Sequence, residues 1–257
     1  MNPDDKKYAD SLRNLLSIMN ELRTKCPWDK KQTLESLRHL TIEETYELSD
    51  AILTGDLTAI KEELGDLMLH IVFYSKIAIE QEAFDLADVM KGLCDKLISR
   101  HPHVFGNSSI NDAETINWEL LKLKEKNNGV LGGVPKSLPA LIKAQRIQEK
   151  LSGVGFDWQN KEQVWEKITE ELDEFKQALE EDNSNNIEAE FGDLLFSLVN
   201  YARFIEINSE TALEKTNKKV IKRFNYIEFA AKRDGNILSD LTLAEMDSYW
   251  EEAKNKE

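Results

Sequence analysis

The sequence predicts an all-α protein built as two related halves, each a set of helices packing as a bundle. Three observations predict it. Apolar residues recur at helical spacing: Val164, Ile168, Leu172, Phe175 and Leu179 step by four, four, three and four, which puts them on one face of a helix. Strand signals are nearly absent, with no sustained alternation of apolar and polar residues between tight turns. The third observation is a repeat. Moving the sequence by 127 residues lays Glu43, Glu44, Glu47, Glu63 and Asp66 on Glu170, Glu171, Glu174, Glu190 and Asp193. Five acidic matches at one offset are far from chance, and a repeat of this kind organises the whole fold.

The elements follow in chain order. The opening MNPDDKKYADSL has no apolar signal core, so no leader is expected. Residues 26–52 carry one acidic block and run to Gly55 and Asp56, read as a helix–helix turn. Leu64, Leu67, Met68, Ile71 and Tyr74–Ser75 form the next stripe. Past residues 80–85 the offset drops to 123, so that Lys96 falls on Lys219 and Arg100 on Arg223. The halves therefore span 1–110 and 140–257, joined by a Gly/Pro-containing connector at 111–139, with room for one short helix around 115–126. In the second half the stripe 164–179 is followed by a polar turn at 181–186. A further stripe then runs through Ile187, Phe191, Leu194, Leu195, Leu198 and Ala202.

Composition narrows the function. The 257 residues are 41% hydrophobic and 32% charged, with a formal net charge of −15. That is a globular composition with length for one large domain or two small ones. It lacks the basic footprint of a nucleic-acid binder. The longest apolar runs, such as LMLHIVFY, are far short of a membrane span, so no membrane partner is expected. Two cysteines, Cys26 and Cys94, stand outside any CxxC pair. A reducing compartment, the cytoplasm, is the simplest inference.

The acids carry the chemistry. Glu171 and Glu174 share a helical face, as do Glu190 and Asp193. Both pairs flank apolar stripes that should face each other across a hairpin, so the pairs should meet. Two carboxylates about 5 Å apart repel by roughly 3 kcal/mol at an effective dielectric near 20. Such a group raises its own pKa values or recruits a cation. All-oxygen donors select a hard cation, Mg²⁺ with Mn²⁺ also fitting. No His or Cys accompanies them to favour zinc, and no Glu-x-x-His supports a di-iron site. A lone ExxE is most often a solvated face. The same pattern repeated at a 16-residue separation, Glu47 to Glu63 and Glu174 to Glu190, points instead to a metal site.

EExxE followed by ExxD resembles the MazG family of nucleoside triphosphate pyrophosphohydrolases. Residues 26–52, RHPHVFG at 100–106, 137–158 and FGDLLFSLVNYAR at 191–203 are similar to it too. The resemblance implies an all-α, Mg²⁺-dependent enzyme, usually a homodimer, which hydrolyses ribo- and deoxyribonucleoside triphosphates to monophosphate and pyrophosphate. It implies that the C-terminal half is the catalytic one. Glu171, Glu174, Glu190 and Asp193 would hold the metal, Glu171 or Glu174 would orient water toward the α-phosphorus, and Lys219 and Arg223 would grip the phosphates. Trp250 matches an aromatic that could stack on the base. Asn186 stands where some members have Lys. Glu44, Glu47, Glu63, Asp66, Lys96 and Arg100 make a possible second site. Two alternatives remain: a hydrolase narrowed to dUTP or a phosphoribosyl-ATP-like compound, and a non-catalytic nucleotide-binding scaffold.

The other notable residues take structural expectations. His70 reads as a core residue. His101 and His103 read as capping or surface groups, and Cys26 as a packed residue at a helix start. Trp28, Trp118, Trp158 and Trp165 read as core or connector anchors, with Trp28 and Trp158 as equivalent lead-ins to the two repeats.

Overall fold

A computed structural model describes residues 3–106, 129–181 and 184–256. Every regular element among them is helical. The chain divides into two compact units, Met1–Glu114 and Thr115–Glu257. The expected short helix at 115–126 and Trp118 lie outside the described residues.

In the first unit, α1 (Pro3–Lys25) leads through a 3-10 turn at Asp29–Lys31 to α2 (Leu34–Thr54), α3 (Leu57–Glu80), α4 (Leu86–Arg100) and the single-turn α5 (Pro102–Phe105). Thr33 and Ser36 cap α2 reciprocally, which satisfies two otherwise orphaned N–H groups. The predicted turn at Gly55–Asp56 is present. Gly55 takes φ 74° and closes α2 in the left-handed conformation, where a side chain would be strained. The Asp56 carboxylate then accepts from the Thr58 and Ala59 backbones to start α3. The core beneath is Met19, Leu37, Val72, Phe73, Ile77 and Leu86. Arg23 locks the edge of this unit. It pairs with Glu80 at 2.8 Å and donates to the carbonyls of Asp29 and Gln32.

The second unit opens on a 3-10 turn at Leu131–Gly133. It continues as α6 (Ala140–Ser152), α7 (Lys161–Glu180), α8 (Ser184–Phe204) and α9 (Ser209–Arg233), a 3-10 turn at Leu238–Asp240, and α10 (Leu243–Lys254). Asn160, Asn208 and Thr242 supply the N-caps of α7, α9 and α10. α7 and α8 pair as a hairpin, α6 lies against α8, and α9 packs on α10. Tyr226 donates to Glu252 at 2.9 Å and Tyr249 to Asp234 at 3.0 Å, tying α10 to α9.

Four expectations change in detail. The polar stretch 181–186 is shorter as a turn than expected, because α8 already begins at Ser184; Asn and Ser serve well in a first turn. The apolar stripe of α7 is buried only at its N-terminal end. Val164 is 0% exposed and Ile168 7%, while Leu179 is 50% exposed. Trp28 and Trp165 are not core residues: each is more than half exposed. Cys26 follows the end of α1 rather than starting a helix, its N–H donating to the Leu22 carbonyl at 2.8 Å.

Candidate functional site

The hairpin of α7 and α8 brings Glu171, Glu174 and Glu190 together, each offering an oxygen within 4.8 Å of the others'. The hairpin of α2 and α3 does the same with Glu44, Glu47 and Glu63. Helical spacing explains both: i and i+3 share a face on one helix, and the partner helix adds a third acid opposite them. Asp193 and Asp66, each one turn past the last acid of its group, stand outside these triplets and are exposed.

The two sites differ in their compensation. Glu171 is only 6% exposed, and Lys167, one turn back on α7, places its ammonium 2.6 Å from the Glu171 carboxylate and 3.0 Å from that of Glu170. The two carboxylates hold that ammonium well above the ordinary lysine range. Burial pushes the Glu174 carboxyl above its usual range. The charge on Glu171 adds to this, and the Lys167 ammonium pulls the other way. At the 127-residue offset the counterpart of Lys167 is position 40, a leucine, so the first site has no matching lysine on that turn. Burial raises the Glu44 carboxyl, reinforced by Asp66 and Glu47. Glu63 is raised by burial and then by Glu47, Glu44 and Asp66.

Lys219 and Arg223 lie four apart on α9, with Lys219 exposed. The Arg223 guanidinium sits over the Trp250 ring, 5.3 Å from its centroid, within cation–π range. Trp250 therefore meets Arg223 with one face of its ring. In the first unit Lys96 and Arg100 fall in the last turns of α4. Asn186 is exposed in the first turn of α8. His70 is the core residue expected: its Nδ1 lies 2.8 Å from Thr41 Oγ1, and burial holds the imidazole below its ordinary value against the opposing pull of Asp66.

The donor chemistry fits a hard divalent cation. Each triplet offers oxygen alone, with excess negative charge. In the second unit a protein ammonium already sits on the most buried acid, as expected where a cation is favoured. Lys167 is a site residue that the sequence reading passed over. Its signal was present, since a lysine four before Glu171 shares its helical face.

Comparison with known proteins decides the family. A model described as the MazG nucleotide pyrophosphohydrolase domain matches residues 32–105 and 159–227, segments that include both acidic triplets. This chain belongs to the MazG family. A nucleoside triphosphate pyrophosphohydrolase/pyrophosphatase MazG of Thermotoga maritima is 46% identical over 97% of this chain and 98% of its own length. A nucleoside triphosphate pyrophosphohydrolase of Escherichia coli K12 is 39% identical over 96% of this chain and 98% of its own. The uncharacterized protein YabN of Bacillus subtilis is 46% identical over 99% of this chain, which spans 54% of that longer protein. The MazG resemblance seen in the acidic motifs thus extends along nearly the whole chain.

Proposed function

We propose that this MazG protein hydrolyses ribo- and deoxyribonucleoside triphosphates to the monophosphate and pyrophosphate, at the second-unit site, with Mg²⁺ as cofactor and Mn²⁺ as a substitute. The observation that carries this reading is the triplet Glu171, Glu174 and Glu190 gathered within 4.8 Å beside Lys167. Glu171, Glu174 and Glu190, joined by Asp193, would hold the metal. Bound there, the metal supplies charge neutralisation of the triphosphate and polarisation of water.

The chain's own groups do the rest. A carboxylate oxygen of Glu174 or Glu171 accepts a proton from the attacking water. The water oxygen bonds to the α-phosphorus, the bond from that phosphorus to the bridging oxygen breaks, and pyrophosphate leaves with that oxygen. Lys219 and Arg223 stabilise the leaving pyrophosphate through charge-assisted hydrogen bonds. Trp250, with Arg223 against one face of its ring, would stack on the base with the other. Lys167 exchanges its carboxylate partners for a phosphate when the substrate arrives. The triplet of the first unit, with Asp66, Lys96 and Arg100, is a second cation site. A homodimer in the cytoplasm completes the reading. It is supported by the exposed apolar side chains Leu179, Phe191, Leu195 and Leu198 along one hairpin and by two unbridged cysteines.

The test is product analysis with each nucleoside triphosphate and Mg²⁺, comparing wild type with Glu174→Gln and Glu47→Gln. Monophosphate and pyrophosphate are expected, with loss on the order of 10²-fold for Glu174→Gln and little change for Glu47→Gln. Diphosphate with orthophosphate would overturn the bond assignment. Loss confined to Glu47→Gln would move the active site to the first unit.

A further inference from the structure

The last described helix of the second unit, α10, is held by polar contacts more than by apolar burial. Its twelve residues are too few to stand as a helix in water unaided, and α9 is its principal partner among the described elements. Ala253 is the one residue of α10 that is buried. An alanine offers no ridge to lodge in a groove of the facing helix, so it does little to fix where α10 sits along α9.

Two tyrosine hydroxyls fix it instead. Arg223, Tyr226 and Ala230 share one face of α9 at i, i+3 and i+7, and Asp234 follows at its C-terminus. The Tyr226 hydroxyl donates to Glu252 Oε2 at 2.9 Å and accepts from the Lys256 ammonium, which also lies 4.3 Å from the centre of the Tyr226 ring. The Tyr249 hydroxyl donates to Asp234 Oδ2 at 3.0 Å and accepts from the Asn236 amide at 3.2 Å. Arg233 grips Asp234 through two hydrogen bonds, at 2.7 and 2.8 Å. Its guanidinium, against the opposing effect of burial, holds the Asp234 carboxyl down to about 2. Both hydroxyls therefore end on carboxyl oxygens, and the one on Asp234 is charged near neutral pH, which makes the stronger kind of hydrogen bond.

These anchors bracket Trp250. It follows Tyr249 directly and stands two residues before Glu252, and its ring is the part of α10 that meets the Arg223 guanidinium, 5.3 Å from its centroid. Sliding α10 by one residue would shift it about 1.5 Å along its axis and turn it by about 100°, enough to carry the indole off the guanidinium. The contact between Arg223 and Trp250 thus depends on a register that the two tyrosines set.

We propose that Tyr226 and Tyr249 are positioning residues of the hydrolase: their hydroxyls fix α10 on α9, and that register holds Trp250 against Arg223 with its second face turned to the base. The assignment rests on the pyrophosphohydrolase reading above, in which Trp250 stacks on the base. Each tyrosine acts through Trp250. The base is remote from the reacting phosphorus, so stacking on it holds substrate and transition state alike. Loss of either hydroxyl therefore raises KM and leaves kcat in place.

The test is steady-state pyrophosphate release from ATP with Mg²⁺. It compares wild type, Tyr226→Phe, Tyr249→Phe, Trp250→Ala and the two double variants that join a phenylalanine to Trp250→Ala, with the Tm of each measured without nucleotide. Phenylalanine keeps the ring and removes only the hydroxyl. The expected result is a several-fold higher KM for each phenylalanine variant and a roughly tenfold higher one for Trp250→Ala, with kcat of the phenylalanine variants within about twofold of wild type. The double variants should show no rise beyond that of Trp250→Ala, because residues that act through one another are not additive. A lowered Tm with KM unchanged makes the tyrosines merely structural and overturns the proposal, as does a KM that multiplies in the double variants; both leave hydrolysis standing. A wild-type KM in Trp250→Ala overturns the stacking on which the proposal rests. A wild type that releases no pyrophosphate overturns the active-site reading itself, and the positioning role falls with it.

Discussion

Lys167 shows how one side chain separates two otherwise matched acidic sites. With its side chain one-third exposed and its partner Glu171 almost wholly buried, it neutralises a carboxylate that would otherwise sit uncompensated in a low-dielectric position. Lys167→Met should therefore lower the stability of the metal-free protein by about 1–2 kcal/mol, read by urea denaturation in chelator. Added Mg²⁺ should narrow the difference, because the cation takes over the lysine's charge. If the variant is as stable as wild type in chelator, the Glu171 pair is not the compensation it looks like. Glu174→Gln should act in the opposite direction. It removes a carboxylate that burial and Glu171 already disfavour, so the metal-free variant should be no less stable than wild type while its turnover is lost. A Tm measured in chelator beside the activity assay checks this.

The segment between α6 and α7 depends on the pair of Asp157 and Arg203. Burial opposes ionisation of Asp157, but hydrogen bonds from Arg203 and Ser152 outweigh it and hold the carboxyl below its ordinary range. A depressed folded-state value means that the unfolded chain binds the proton more readily. The pair's contribution is then present above the ordinary carboxylate pKa and is lost as pH falls through that value toward the depressed one. Arg203→Leu should cost roughly 2 kcal/mol at neutral pH, less than a fully buried pair would because both partners are partly exposed. The gap from wild type should shrink as the solution is acidified. Denaturation curves at neutral pH and near pH 3 decide it; a gap that stays constant would mean that Arg203 acts only through packing. The first unit solves the same problem differently. There Arg23 fastens α1 to α3 through Glu80 and to the 3-10 turn through two carbonyls.

Across the molecule, two acidic triplets and a net charge of −15 should make stability depend on divalent cation. A ligand that binds the folded chain alone stabilises it by RT ln(1 + [L]/Kd), about 2.7 kcal/mol at a hundredfold excess over Kd. Chelator should lower Tm and Mg²⁺ should restore it. Glu47→Gln and Glu174→Gln should each remove part of the shift, and the double variant nearly all of it. A shift that survives intact in the double variant would place the stabilising cation elsewhere.

Much of this was readable without coordinates. The 3.6-residue spacing of apolar side chains and the near absence of alternation prescribe helices, because side-chain periodicity is a local consequence of backbone geometry. Gly55 followed by Asp56 marks a turn for equally local reasons. The duplicated acids were legible because their spacing encodes a shared helical face, and so was the family. Which acids meet is another matter. Glu190 comes within 4.8 Å of Glu171 and Glu174 while Asp193, one turn along, stands outside that triplet, because the pairing register of α7 and α8 comes from packing between residues far apart in sequence. The same holds for burial. Trp28 and Trp165 look like core residues by type, yet they are exposed, since burial depends on what another helix covers. Gln148 and Asn200 carry no motif at all. The orientation of each amide is set by the Arg203 guanidinium and the Phe196 carbonyl, a constraint that exists in the packed chain and in no stretch of its sequence.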